Sequence, residues 1–201
     1  MNVHGCSGAV GSERGTSFVE LMFVIALASV VAAVSVPLAA HTIDATRAWH
    51  ATAFVAARFR MARIQAVQQT RSVGLVFDPA GSRWVFRICV DGNGNGLRRA
   101  DIASGRDTCP QGPFDLGADF HGAEIAVDPA LRGPDGEPGS PDPVRFGRSN
   151  IASFSSEGSC TAGTLFVRSA KGVQYAVRVG NVSGRTRMLR YDPATRKWVS
   201  A

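Results

Sequence analysis

One short stretch of the sequence carries oxygen-bearing side chains at the spacing of a calcium loop. Asp91, Asn93 and Asn95 alternate with glycines, and Gly96 is the sixth residue counted from Asp91. Loops of the EF-hand type supply calcium ligands at alternate positions and turn sharply at a sixth-position glycine. The next acid, Asp101, stands eleventh, not twelfth. Two interpretations follow, a calcium site and a Gly/Asn turn between two strands.

Positive charge collects at the C-terminal end of the chain. From Arg168 to Ala201 there are eight basic residues against one acid, which gives this segment +7. Because the formal net charge is +6, the rest of the chain is close to neutral, at −1. Residues 168–201 are therefore a basic patch.

Residues for catalysis do not come together in the sequence. His41, His50 and His121 are scattered, and no serine lies in the context of a nucleophile elbow. The absence of a Cys-x-x-Cys pair also leaves zinc chemistry without support. We expect a protein that is not an enzyme and requires no cofactor, with calcium as the one candidate ligand.

A single acid lies within a long apolar run. Between Phe18 and Ala40 the only ionisable side chain is that of Glu20. These 23 residues would form a helix about 35 Å long, enough to cross a hydrocarbon core of roughly 30 Å. A lone carboxylate in lipid costs on the order of a few kcal/mol, so Glu20 needs a partner or a function. The run therefore predicts a membrane helix.

The residues around the start of this run resemble a type IV prepilin signal. A short leader ends in Gly15, and Glu20 is the fifth residue of the segment Thr16-Ser17-Phe18-Val19-Glu20-Leu21-Met22. The resemblance implies that a prepilin peptidase cleaves after Gly15, that Thr16 is N-methylated, and that Glu20 compensates the α-amino charge of a neighbouring subunit's first residue. The family usually has Phe or Met where this chain has Thr16. The alternative is an ordinary signal anchor in which Glu20 is incidental.

A second resemblance involves the C-terminal part of the chain. Three segments are similar to minor pseudopilins of the GspH/FimT family: Phe154-Ser155-Ser156-Glu157-Gly158, Gly163-Thr164-Leu165-Phe166-Val167 and Gly184-Arg185-Thr186-Arg187. In some FimT-like pilins the last motif is thought to contact DNA phosphates. This implies sequence-independent, salt-sensitive binding by Gly184, Arg185, Arg187 and Arg190. The alternative is a glycine turn that leads into a strand with solvated arginines.

The resemblance and the hydrophobic pattern together predict four segments. Residues 1–15 are the leader, 16–40 the transmembrane helix, 41–69 its amphipathic continuation, and 70–201 a β-rich pilin domain. Pro37 should kink the helix without ending it. The continuation should bury the residues that follow a 3-4-3-4 spacing, namely Phe54, Ala57, Met61, Ile64 and Gln68.

The remainder reads as short strands separated by turns. Strands are expected at Val73–Phe77, Trp84–Val90, Glu124–Val127, Ile151–Phe154, Thr164–Arg168, Gln174–Val179, Arg187–Tyr191 and Lys197–Val199. Turns are expected at 78–81, 170–172 and 192–193, and the Pro-, Gly- and Asp-rich residues 128–143 should form a long mobile loop. The predicted class is α+β, with a long N-terminal helix packed on an antiparallel β-sheet domain as in pilins.

Three cysteines remain once the leader, which contains Cys6, is removed. A domain that faces an oxidising compartment would form one disulfide from Cys89, Cys109 and Cys160. We favour Cys89 with Cys109, because the polar, Gly-rich loop between them has little apolar content to hold it. Cys160 paired with either one is the alternative.

The resemblance also implies where the protein acts and with what. It would be a single-pass protein of the inner membrane with its β-domain in the periplasm, and its partners would be the prepilin peptidase and other minor and major pilins or pseudopilins. It would prime or cap a type II secretion pseudopilus or a type IV pilus. The alternative is a receptor at the pilus that binds double-stranded DNA for natural transformation.

Overall fold

The computed structural model describes residues 17–180 and 184–201, with the backbone alone at 34 and 36–38. The chain divides into two compact units between Ala40 and His41. Gly15 and Thr16, the residues of the predicted cleavage and methylation site, lie outside the described residues.

The described residues form an α+β structure. Its helices are α1 (Phe18–Gln69), α2 (Arg99–Ala103) and α3 (Leu116–Asp119). Its strands are β1 (Val73–Ala80), β2 (Arg83–Val90), β3 (Thr108–Phe114), β4 (Ala123–Glu124), β5 (Val144–Arg145), β6 (Ile151–Phe154), β7 (Gly163–Ser169), β8 (Gln174–Val179), β9 (Thr186–Asp192) and β10 (Lys197–Ser200).

The strands build two antiparallel sheets. The first has the order β3-β2-β1-β6, and the second has the order β10-β9-β8-β7-β4, with β5 also paired to β7. One face of each sheet contributes to a shared core with the buried face of residues 48–66 of α1. The helix is therefore packed on an antiparallel domain, as the sequence predicts.

The buried face of α1 is not the one that the spacing suggested. Met61 and Ile64 are 44% and 56% exposed, Ala57 and Gln68 are also exposed, and Phe54 is half-buried. Between residues 48 and 66 the buried positions are Ala48, Ala51, Thr52, Val55, Ala56, Phe59, Ala62 and Ala66. Both stripes follow the helical period, so periodicity does not separate them. The stripe rich in alanine is buried because aromatic side chains of the strands fill the space beside it.

Phe59 is the large side chain of this helical face. Its ring centroid lies 5.5 Å from that of Phe146, 6.3 Å from that of Phe77 and 6.4 Å from that of Phe154. Tilted rings at these separations add to the free energy gained by burial. Phe59 therefore joins strands of the first sheet to the segment that follows β5.

The first hairpin turns later than expected. Asp78, Pro79 and Ala80 belong to β1, and Gly81 with φ +65° makes the turn with Ser82. Pro79 is tolerated in the strand because β6 pairs only with Val73–Val76 and leaves this end of β1 as an edge.

The strand β3 was not expected, because it contains Cys109, two prolines and Gly112. It pairs with β2 through shifted register, and the Cys89–Cys109 disulfide, with Cα atoms 3.9 Å apart, joins the same two strands. This is the pair that the loop argument favoured, and Cys160 is a buried free thiol. Leu97 and Ile102 pack with this disulfide region against the outer face of the first sheet.

Residues 128–143 contain no helix or strand but are attached to the second sheet. Asp135 forms an ion pair with Arg178 of β8, and the indole Nε1 of Trp198 donates to the Arg132 carbonyl at 2.8 Å. Trp198 also covers Phe166 on the outer face of that sheet, with ring centroids 5.6 Å apart. The loop is thus held at two points along its length.

Candidate functional site

The first part of α1 presents apolar side chains around a single acid. Phe18 is 73% and Val19 72% exposed, and large apolar side chains stay more than half exposed as far as Val31. Glu20 lies in the first turn and makes no ion pair with another described residue. Within the described residues no helix meets the length and apolarity required to cross a membrane.

Hydroxyl groups in this part of the helix are satisfied internally. Ser29 Oγ donates to the Ile25 carbonyl and Ser35 Oγ to the Val31 carbonyl, each at 2.8 Å. Such bonds to the preceding turn remove the need for an outside partner. Glu20 differs from these serines in that no described residue forms an ion pair with it.

An arginine cluster, defined here as Arg60, Arg63, Arg178, Arg185 and Arg187, forms where α1 approaches the start of β9. Three adjoining cavities of about 590, 470 and 200 Å³ are each lined by three of these side chains. Two of the five, Arg185 and Arg187, belong to the Gly184 motif that is recognisable in the sequence. The other three come from α1 and β8, and no local signal in the sequence connects them to that motif.

Not every member of the arginine cluster is equally available. Arg178 pairs with Asp135 and also donates to Thr164 Oγ1 at 3.4 Å, while Arg63 Nε donates to the Gly158 carbonyl at 3.3 Å. Arg60, Arg63, Arg185 and Arg187 are exposed, whereas Arg178 is half-buried. An anion in solution could reach the four exposed side chains.

Gly184 is held in a tight environment at the edge of this cluster. Its φ is +57°, and an added Cβ would lie 2.8 Å from the Gly158 carbonyl oxygen and 2.9 Å from Arg63 Nε. Only glycine accommodates both the left-handed backbone and this close approach. The glycine of the motif therefore fixes where Arg185 leaves the loop.

Cys160 supports the same region from inside. Its thiol donates to the Gly180 carbonyl at 2.8 Å, and the Gly184 N–H donates to that carbonyl at 3.1 Å. Burial raises the pKa of the Cys160 thiol, although the charge of Arg63 and the Gly184 backbone act in the opposite direction. The thiol is therefore a neutral donor that helps to position the motif.

Arg190 does not belong to the arginine cluster. It stands three residues after Arg187, and because side chains alternate along a strand the two point to opposite faces of β9. Arg187 pairs across the ladder with Arg178, whereas Arg190 pairs with Tyr175. The structure thus separates Arg190 from Arg185 and Arg187.

The Asp/Asn loop is folded around its own backbone. Asp91 is buried, and its carboxylate accepts from the N–H groups of Asn93, Gly94 and Gly96 at 3.1, 2.8 and 2.7 Å. Asp107 likewise accepts from the Gly92 N–H at 3.1 Å and the Arg98 N–H at 3.2 Å. These bonds describe a Gly/Asn turn.

Asp101 closes this loop through side chains. It accepts from Asn95 Nδ2 at 3.1 Å and from Arg106 at 3.4 Å, and the hydrogen bond from Asn95 lowers the pKa of this carboxyl. In the described part of the chain, no group of three or more His, Cys, Asp or Glu side chains is arranged to hold a metal ion. The calcium interpretation remains an untested prediction.

Comparison with protein-family models, with curated proteins and with solved structures finds no match to this chain.

Proposed function

We propose that this chain is a minor pilin or pseudopilin that is cleaved after Gly15 and held in the inner membrane by residues 16–40, with its β-domain in the periplasm. It assembles with other pilins to prime or cap a type II secretion pseudopilus or a type IV pilus. The observation that carries this proposal is the helix α1. Its first part exposes apolar side chains around Glu20, and its second part is buried on an antiparallel domain.

This arrangement suits assembly because the first part of α1 needs an apolar environment that the described chain does not provide. Lipid or the helices of neighbouring subunits would cover it. A carboxylate in such surroundings is stabilised by a positive charge, and the α-amino group of Thr16 on a neighbouring subunit supplies one in this proposal. Membrane insertion and assembly then follow from the same segment.

The test uses the full chain in cells that contain an active prepilin peptidase. Mass spectrometry of the membrane-extracted protein should find the N-terminus at Thr16. Glu20→Ala should leave cleavage unchanged and lower co-purification with other pilins about tenfold, since a charge-assisted contact is lost. Glu20→Asp keeps the charge and should therefore restore part of the co-purification with other pilins. A mature chain that begins at Met1, or full assembly of Glu20→Ala, would contradict the proposal.

A second candidate function is supported by the arginine cluster. Four exposed arginines, two from α1 and two from the Gly184 motif, line adjoining cavities in one region of the surface. Arginine forks match phosphate oxygens, and a group of them binds a polyanion without regard to sequence. Binding of double-stranded DNA would make the subunit a receptor for DNA uptake.

A further inference from the structure

A cavity outside the arginine cluster combines aromatic side chains with one exposed arginine. It has a volume of about 580 Å³ and lies entirely within the unit that begins at His41. Residues 41–49 of α1 line one side, and β8 and β9 line the other. The lining includes the side chains of His41, Trp49, Tyr175 and Arg190.

Arg190 supplies the positive charge of this cavity. Its side chain is exposed, and in the described chain it makes no hydrogen bond or ion pair, so its five N–H donors are open to a ligand. Because Tyr175 is its direct partner across the antiparallel ladder, both side chains lie on the same face of the sheet. A planar guanidinium in this position matches the oxygens of a phosphate.

The aromatic residues give the cavity a wall that is both apolar and polar. Trp49 is 42% exposed, and its ring meets that of His50 edge-on at 5.1 Å. Tyr175 is 4% exposed, and its hydroxyl donates to the Ala45 carbonyl at 3.4 Å. Burial raises the pKa of Tyr175, so its hydroxyl stays protonated. Trp and Tyr of this kind are typical of the level at which membrane headgroups lie.

The position of the cavity along the chain indicates which class of ligand it can contact. His41 directly follows the apolar run, and Trp49 lies about 12 Å further along the helix. If residues 16–40 span the membrane, as the proposed function requires, residues 41–49 emerge into the headgroup layer. The ligand class available at that depth is the phospholipid headgroup.

We propose that this cavity binds the phosphate of an anionic phospholipid headgroup, with Arg190 on the phosphate oxygens and Trp49 against the glycerol. This inference rests on the proposed membrane insertion. A nucleic acid would require several cations in a row, and the cavity has one arginine in its lining. A single headgroup requires only one.

The test titrates the full chain, purified in a nonionic detergent, with dihexanoyl phosphatidylglycerol and counts lipid adducts by native mass spectrometry. The wild type should take up one lipid, and Arg190→Gln should weaken this uptake at least about tenfold. Arg148→Gln is the matched control, since it removes the same charge at an exposed site that lines neither this cavity nor those of the arginine cluster, and it should bind within about twofold of wild type. Trp49→Ala keeps the charge and should also weaken uptake, which covers the case in which Arg190→Gln does not fold.

Three outcomes would overturn the proposal. Equal loss in Arg148→Gln and Arg190→Gln would show attraction by net charge alone. Equal uptake by wild type and Arg190→Gln would show that the cavity does not bind the phosphate. Competition by inorganic phosphate as effective as that by the short-chain lipid would identify a free-phosphate site.

Failure of membrane insertion would be seen separately. Wild type and Arg190→Gln should both resist extraction from membranes by alkaline carbonate, because residues 16–40 are unchanged in both. Release of both proteins would contradict the proposed function, while the short-chain titration, which needs no membrane, would still decide whether the cavity binds the headgroup.

Discussion

At the scale of single residues, Gly184, Arg63 and Cys160 determine where the basic motif lies. The glycine permits the backbone to approach Gly158, Arg63 bonds the Gly158 carbonyl, and Cys160 bonds the Gly180 carbonyl. None of the three needs to touch a ligand to affect one. Their effect on Arg185 is positional.

Gly184→Ala should destabilise the protein by about 2–4 kcal/mol, because it adds a contact of 2.8 Å with the Gly158 carbonyl to the cost of a left-handed backbone. The matched control is Gly81→Ala. Gly81 has a similar φ of +65° but no atom within 4 Å of an added Cβ, so its cost should be only about 1–2 kcal/mol. Urea unfolding measures both, and equal losses would show that the contact with Gly158 is unimportant.

At the scale of elements, the sequence predicts the bounds of several strands but not the strand β3 or the buried face of α1. Ile151–Phe154 and Gln174–Val179 are observed at the predicted bounds because they are β-branched or aromatic runs between turn residues. The strand β3 could not be predicted, since a disulfide and pairing with β2 override its prolines. The buried face of α1 was wrong for a different reason: two stripes share one period, and only the tertiary packing selects the alanines.

Asp78 joins three of these elements, because it pairs with Arg87 of β2 at 2.8 Å and with Arg99 of α2. Burial opposes ionisation of Asp78, but the hydrogen bonds and charges of Arg99 and Arg87 outweigh it, so the pKa is lowered. A lowered pKa gives stability that is present above the unfolded value of about 3.9 and is lost as the pH falls through the folded value.

Asp78→Asn should therefore reduce the free energy of unfolding by about 1–3 kcal/mol at pH 7, and the difference from wild type should shrink below about pH 4. Asp119→Asn makes the same change at an exposed site and should stay within about 0.5 kcal/mol of wild type. Urea unfolding from pH 3 to 7 provides the comparison. A difference that does not change with pH would show that the ionised carboxylate of Asp78 does not carry the stabilisation.

At the scale of the whole molecule, the arginine cluster depends on contacts between residues that are distant in sequence. Arg185 and Arg187 could be found from their motif, but Arg60 could not, because its place beside them results from packing of α1 on the second sheet. Arg190 does not join the cluster, because side chains alternate along β9 and its side chain lies on the face opposite to that of Arg187. A run of basic residues in sequence is therefore divided into two surfaces.

The division can be tested with the unit that begins at His41 and duplexes of unrelated sequence. If the arginine cluster contacts phosphates, binding should be independent of sequence and should weaken with salt, with a log–log slope of about −0.9 per phosphate neutralised. Arg185→Gln with Arg187→Gln should flatten that slope by roughly two units, and Arg60→Gln alone by about one. Arg190→Gln should leave it unchanged.

The control for these variants replaces Arg47 and Arg148 by Gln, since both are exposed and neither lines the cavities of the cluster. This double variant loses the same two charges, so it should keep nearly the wild-type slope if the contacts are local. An equal flattening in the control would show that net charge alone drives binding. A folded wild-type unit that binds no duplex at low salt would exclude the DNA receptor and leave assembly through Glu20 as the proposed function.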